Sequence, residues 1–191
     1  MKLKKYLVIS FVTIVAVACS TSSKDEKVKP SKTELKAKIK EMEDSLVQLQ
    51  ADLTTTKQIP NLTHFELINR LLDYYHNYPE DPISAEYLDK VHMKYSGLNI
   101  YEQAVKYADT LLASYPAYKN RALVLESQGS SYDVFPEIRD TAKVRYYYKL
   151  LMKENPKMNR EKINGIKERL QHLNLTFDQY IDFKMKTFSE K

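Results

Sequence analysis

Three prolines, Pro79, Pro116 and Pro156, each close an amphipathic stretch, and their spacing constrains the fold more than any other feature of the chain. The middle stretch, residues 101–116, reads YEQAVKYADTLLASYP. Its Ala104, Ala108, Leu111 and Leu112 fall on one face of a helix. Proline stops such a helix because it lacks an N–H and its ring collides with the preceding turn. Twelve residues before the three prolines stand Leu67, Ala104 and Val144, and the prolines are 37 and 40 residues apart. A helical hairpin occupies about that length, so the spacing predicts a repeated two-helix unit. A chain with only 3 Gly suits helices with short connections better than a turn-rich β fold.

The other start and stop signals extend this to eight helices and no strand. Ser31 with Glu34 has capping-box spacing, as do Thr63 with Glu66 and Thr176 with Gln179. Phe65, Ile68, Leu71, Leu72 and Tyr75 mark the helix that closes at Pro79. Asp81-Pro82 opens the next, which carries Tyr87, Leu88, Val91 and Tyr95 and ends near Gly97. Asn99 is read as the cap of the middle stretch. A further helix is expected over residues 118–132, Asp140 caps its successor, and Asn159 caps a helix through Ile163, Ile166 and Leu170. A short last helix carries Ile181 and Met185.

The first helix has its own pattern. Leu35, Ile39, Met42, Leu46, Leu49 and Leu53 recur at alternating four- and three-residue steps, a heptad seam. Two readings fit: a homo-oligomeric coiled coil, or a long helix whose seam is buried on the next helix of the same chain. Thr54-Thr55-Thr56 and Pro60 then break the pattern.

The N-terminus reads as a targeting segment. Lys2, Lys4 and Lys5 precede an uncharged apolar run over residues 6–18, too short to span a bilayer and typical of a signal peptide. The run ends Ala16-Val17-Ala18-Cys19. This fits ordinary signal peptidase, and it also resembles a bacterial lipobox with Ala16 in place of the usual Leu. On the second reading Cys19, the sole cysteine, carries acyl chains that anchor the protein. By the same resemblance, Ser20 after the cysteine favours the outer membrane. Residues 20–30 read as a solvated tether. Lys24-Asp25-Glu26 within it resembles a short surface-export signal, although a plain linker has the same composition.

Composition narrows the function classes. Without Lys2, Lys4 and Lys5 the basic count falls from 30 to 27, against 25 acidic residues. The charges are interspersed, so no basic stripe points to nucleic acid. His64, His76, His92 and His172 show no ligand spacing, and no metal site is expected. No phosphate-cradling glycine loop and no nucleophile elbow occurs. The chain offers no catalytic set and no cofactor motif. Asn61-Leu62-Thr63 and Asn174-Leu175-Thr176 match glycosylation sequons but read more simply as helix starts. Tyr74, Tyr75 and Tyr78 form one aromatic cluster and Tyr146, Tyr147 and Tyr148 another. Three consecutive tyrosines cannot share one helix face, so at least one is expected to be exposed or to bridge helices. Either packing between helices or an aromatic contact patch for a peptide or glycan would use them.

In sum the sequence resembles tetratricopeptide-repeat (TPR) proteins. Tyr95, Ala104 and Pro116 stand where that family has its tyrosine, second-helix alanine and closing proline; Gly129, Tyr132 and Pro156 match in the following unit. His92, Leu111 and Val144 depart from the small residues expected there, Leu67 replaces the alanine of the first unit, and residues 134–140 carry an insertion. Stretches such as GSSYD and DTAKVRYYYKLLMKENP are similar to small TPR-containing bacterial outer-membrane lipoproteins, including those of the Tol system and of outer-membrane assembly. The resemblance implies an all-α, TPR-like helical-hairpin solenoid behind a lipoprotein signal peptide. Its segments are a signal peptide (1–18), a lipidated Cys19 with tether (19–31), the heptad-patterned helix (32–58) and the repeat domain (59–191). It also implies that first-helix residues on the concave face bind partners: Glu86, Asp89 and Met93 in one unit, Glu126, Ser130 and Asp133 in the next. Such a face would favour a segment bearing Lys or Arg. The expected role is a non-enzymatic, membrane-anchored adaptor for protein partners in the cell envelope. The alternative is a surface-exposed lipoprotein that binds a glycan or nutrient.

Overall fold

A computed structural model describes residues 29–52 and 61–189. The leader, Cys19, the Lys24-Asp25-Glu26 triplet, Leu53, the threonine run and Pro60 lie outside the described residues. So does the choice between the two cleavage readings.

The described chain is all-helical, with eight α-helices: α1 Lys32–Asp52, α2 Asn61–Asn77, α3 Ile83–Gly97, α4 Tyr101–Ser114, α5 Arg121–Val134, α6 Thr141–Glu154, α7 Arg160–Gln171 and α8 Phe177–Ser189. A short 3-10 helix, Pro136–Ile138, occupies the expected insertion. No strand occurs among the described residues. Consecutive helices pack on one another from α1 to α7, and α8 returns to α5.

The prolines act as the sequence predicts. Helices α2, α4 and α6 end at Asn77, Ser114 and Glu154, each two residues before a proline. A residue that precedes proline is pushed out of the helical region. Tyr115 (φ −130°, ψ 70°) and Asn155 (φ −124°, ψ 66°) adopt nearly the same non-helical geometry for that reason.

Several caps form as expected. The Glu34 N–H donates to Ser31 Oγ at 3.1 Å. Asp140 Oδ1 accepts from Ala142 and Lys143, and Asn159 Oδ1 from Glu161 and Lys162. Thr176 and Gln179 close a reciprocal capping box, with bonds of 2.9 and 3.3 Å. Others differ. Helix α2 begins at Asn61, which places Thr63 inside its first turn rather than at the cap. Asn99 is not the cap of α4, whose flanking residue is Ile100. It has φ 59°, the left-handed conformation that ends α3, and its side chain accepts from Tyr101. Asparagine tolerates that conformation better than other non-glycine residues. Helix α5 starts at Arg121, because residues 118–120 form a turn.

Leu35, Ile39 and Leu46 of the heptad seam are buried in one core cluster with Leu67, Ile68 and Leu71 of α2 and Leu88 and Val91 of α3. The seam is therefore packed inside the chain along this stretch, with Met42 half-buried beside it. Leu49 is 42% exposed, so burial fades toward the end of α1. A second cluster joins Leu125 and Tyr132 of α5, Val144, Tyr147 and Leu151 of α6, and Ile166 and Leu170 of α7. Leu112 packs against both clusters and makes the core continuous. Complete burial of a leucine such as Leu71 or Leu125 contributes roughly 1.5–3 kcal/mol.

Two similar aromatic stacks occur in the packing. Tyr95 of α3 stacks on Tyr107 of α4 with ring planes 2° apart and centroids 5.6 Å apart. Tyr132 of α5 stacks on Tyr147 of α6, also at 2°, with centroids 5.9 Å apart. The two stacks are offset by 37 and 40 residues, the same intervals that separate the prolines.

Candidate functional site

The first helices of the successive hairpins, α1, α3, α5 and α7, are joined side to side by polar contacts. Lys90 reaches Glu43 at 2.5 Å, linking α3 to α1. Glu86 receives Lys119 at 2.7 Å, and Asp89 Oδ2 accepts from the Tyr118 hydroxyl at 2.7 Å; both contacts come from the turn that leads into α5. Glu126 of α5 receives Lys162 of α7 at 2.6 Å. Asp133 accepts two bonds from Arg169, at 2.6 and 2.7 Å, both residues being buried. Helical geometry puts these acids on one face, and the next hairpin supplies a cation or hydroxyl opposite each.

This bears directly on the six residues singled out in the sequence. The carboxylates of Glu86, Asp89, Glu126 and Asp133 are engaged within the chain rather than displayed as free charge. Asp89 also holds His92 at 3.0 Å, and its hydrogen bonds from His92 and Tyr118 keep its carboxyl below the usual range although burial opposes them. Asp133 is 2% exposed. Ser130 is half-buried beside Tyr148, whose hydroxyl burial pushes up to about 12. Met93 is 59% exposed. The six do not form one cluster. Glu86, Glu126 and Met93 line three separate grooves, and Asp89, Ser130 and Asp133 line none of these.

A groove of about 560 Å³ runs between the turn after α2 and the turn after α4. Tyr75, Pro79, Pro82, Tyr115, Pro116 and Tyr118 form its walls. The Tyr115 hydroxyl donates to the Pro79 carbonyl and ties the two turns together. The Tyr118 hydroxyl is held un-ionised far above its ordinary range by burial and by Asp89. A second groove, about 480 Å³, lies one hairpin further on, between Leu123 and the Pro156 turn. Arg121 bridges its rim by a two-pronged bond to Glu154, at 2.8 and 3.2 Å. A third, about 390 Å³, is bordered by Val47, His64 and Met93.

Sequence reasoning found the tyrosine clusters but not the grooves. Tyr74 is fully buried and donates to Asp81, whereas its neighbour Tyr75 opens on the first groove. Of the second cluster, Tyr146 is 59% exposed, Tyr147 is buried and donates to Asp109, and Tyr148 covers Gly129. Gln128, at 1% exposure, donates to the same Asp109 oxygen at 2.5 Å, which knits α4, α5 and α6 together. The signal that could have located the grooves is the proline turn itself. Two such turns in adjacent hairpins must face one another across a gap.

Among the described residues no group of His, Cys, Asp and Glu is arranged to hold a metal ion. No helix among them is long and apolar enough to cross a membrane. No family model matches the sequence, and neither the curated proteins nor the solved structures contain one that is significantly similar to it.

Proposed function

We propose that the chain is a TPR-like helical scaffold, anchored to the outer membrane through Cys19, that binds protein partners in the bacterial cell envelope. The observation that supports it most is the combination of a side-to-side hairpin stack with the Tyr- and Pro-lined groove between its first two turns. The ionisable side chains of the stack join neighbouring hairpins, which makes a rigid frame. The grooves offer apolar contact at intervals along that frame. In this arrangement Glu86 and Glu126 border the contact surfaces and Met93 supplies a flexible apolar one. Asp89, Ser130 and Asp133 shape the same row of helices. The signal-like N-terminus and the lipobox resemblance at Cys19 support the anchor.

A second reading draws on the same groove. Tyr75, Tyr115 and Tyr118 give it the aromatic walls on which a sugar ring can stack, as a glycan- or nutrient-binding surface lipoprotein would need.

The test is affinity capture from envelope extracts with the wild-type chain, Tyr75→Ala and Met93→Ala, followed by mass spectrometry, with a glycan array in parallel. A scaffold retains specific proteins with the wild type and loses them with one groove variant. Recovery of no protein, together with glycan binding that Tyr75→Ala abolishes, would establish the second reading instead.

A further inference from the structure

The start of the described chain is held against the first proline turn. The Lys29 ammonium sits over the Tyr78 ring, 4.1 Å from its centroid, and the Tyr78 hydroxyl donates to the Pro30 carbonyl at 2.7 Å. Lys32 reaches Asp81 Oδ2 at 2.7 Å, and the same oxygen accepts from the Tyr74 hydroxyl at 2.8 Å. Asp81 Oδ1 accepts from the Ile83 N–H, so the clamp is continuous with the start of α3.

This fixes where the N-terminal segment meets the domain. The turns after α2, α4 and α6 lie along one edge, as the Tyr115–Pro79 bond, the Arg121–Glu154 pair and the two grooves between successive turns require. Nine residues separate Cys19 from Lys29. That many residues reach at most about 36 Å from Cys19 to Lys29, and the two edges stand about one helix length apart, roughly 21 Å for the 14 residues of α4. Because the chain enters the domain at Tyr78, the tether meets the proline edge first and the opposite edge only after a further helix length.

The charges agree with that direction. Lys29, Lys153, Lys157 and Arg160 are exposed along the proline edge, with Lys119 paired to Glu86, alongside the acids Glu80, Glu154 and Glu161. The opposite edge exposes Glu102, Glu137 and Asp178 near its turns, with Lys143 as the basic residue beside them.

We propose that the proline-turn edge is the face the domain presents to its bilayer, with its lysines against phospholipid phosphates, and that the Tyr78 clamp sets this orientation. The proposal rests on the reading of Cys19 as the anchor. The first groove then opens at the membrane surface, where it meets partners that are themselves membrane-bound.

The test couples Cys19, the sole cysteine, to a maleimide phospholipid in phosphatidylethanolamine–phosphatidylglycerol vesicles that carry a photoreactive headgroup. It runs whether or not cells acylate Cys19; the intact mass of the protein extracted from membranes answers that separately. Crosslinks are expected to be several-fold denser on residues 117–119 and 156–160 than on residues 136–138 and 173–176. Equal labelling of the two edges, or an excess on the far edge, would overturn the orientation. Tyr78→Phe combined with Lys32→Ala is expected to erase the near-edge excess with the helical circular dichroism unchanged. An excess that persists in that variant would overturn the clamp.

Discussion

Arg169 holds Asp133 by two hydrogen bonds and uses its remaining reach on the carbonyls of His172 and Leu175, with its guanidinium 4.8 Å from the Tyr180 ring centre. One side chain thereby fastens the α7–α8 turn to α5. Arg139 adds two bonds to the same turn, at the Leu173 and Leu175 carbonyls. Removal of one partner from a buried pair leaves the other charge uncompensated, at a cost of about 3–5 kcal/mol. Asp133→Ala should lose stability on that scale in urea denaturation, with the loosening centred on α7 and α8 in hydrogen exchange. A loss below about 1 kcal/mol, the range of an exposed pair, would mean the pair is hydrated in solution.

The glycines separate into two kinds. A Cβ on Gly129 would lie 2.7 Å from the Tyr148 ring, whereas one on Gly165 meets nothing within 4 Å. Gly129→Ala should therefore destabilise the fold by about 1–3 kcal/mol through overpacking. Gly165→Ala, within the exposed side of α7, should stabilise it by about 0.5–1 kcal/mol. Thermal melts of the two variants should move in opposite directions.

Asn99 provides a backbone test. At φ 59° a β-branched residue is strained, while glycine is not. Asn99→Val should cost about 1–2 kcal/mol, and Asn99→Gly should be close to neutral in the same melt. Equal effects would show that the turn relaxes out of the left-handed region.

How far the sequence revealed this structure depends on the range of the interaction. Local signals were legible. Pro79, Pro116 and Pro156 end their helices, and Ser31, Asp140, Asn159 and Thr176 cap theirs, because each acts on backbone groups within four residues. Asn99 and Thr63 were misassigned because a cap-forming side chain next to an apolar run looks the same one residue before a helix, one turn inside it, or at the end of the preceding one. The candidate face was read by position along α3 and α5, which periodicity supports. What periodicity does not carry is the partner of each acid. Lys119, Lys162 and Arg169 stand 33–36 residues from Glu86, Glu126 and Asp133, a separation that only hairpin stacking brings together.

Asp81 sets a pH dependence. The Lys32 ammonium beside it, the Ile83 N–H and the Tyr74 hydroxyl lower its carboxyl to about 2, against a desolvation that acts the other way. A carboxyl lowered in the folded state contributes stability above its unfolded value, near 3.9, and that contribution fades as pH falls toward 2. Wild type should thus exceed Asp81→Asn in melting temperature at pH 6, and the gap should close between about pH 4 and pH 2. A gap that is constant across this range would mean that the carboxylate charge contributes nothing at the clamp.

The clamp at Tyr78 also has a mechanical meaning. A load applied through the N-terminal segment does not arrive first at the backbone of α1. It is taken by the Pro30 carbonyl bond, the Lys32–Asp81 pair and the ring beneath Lys29, and these pass it to the end of α2 and the start of α3. The domain is therefore pulled at a junction of two hairpins rather than at a fraying end, and α1 stays seated on its core until those side-chain links give way.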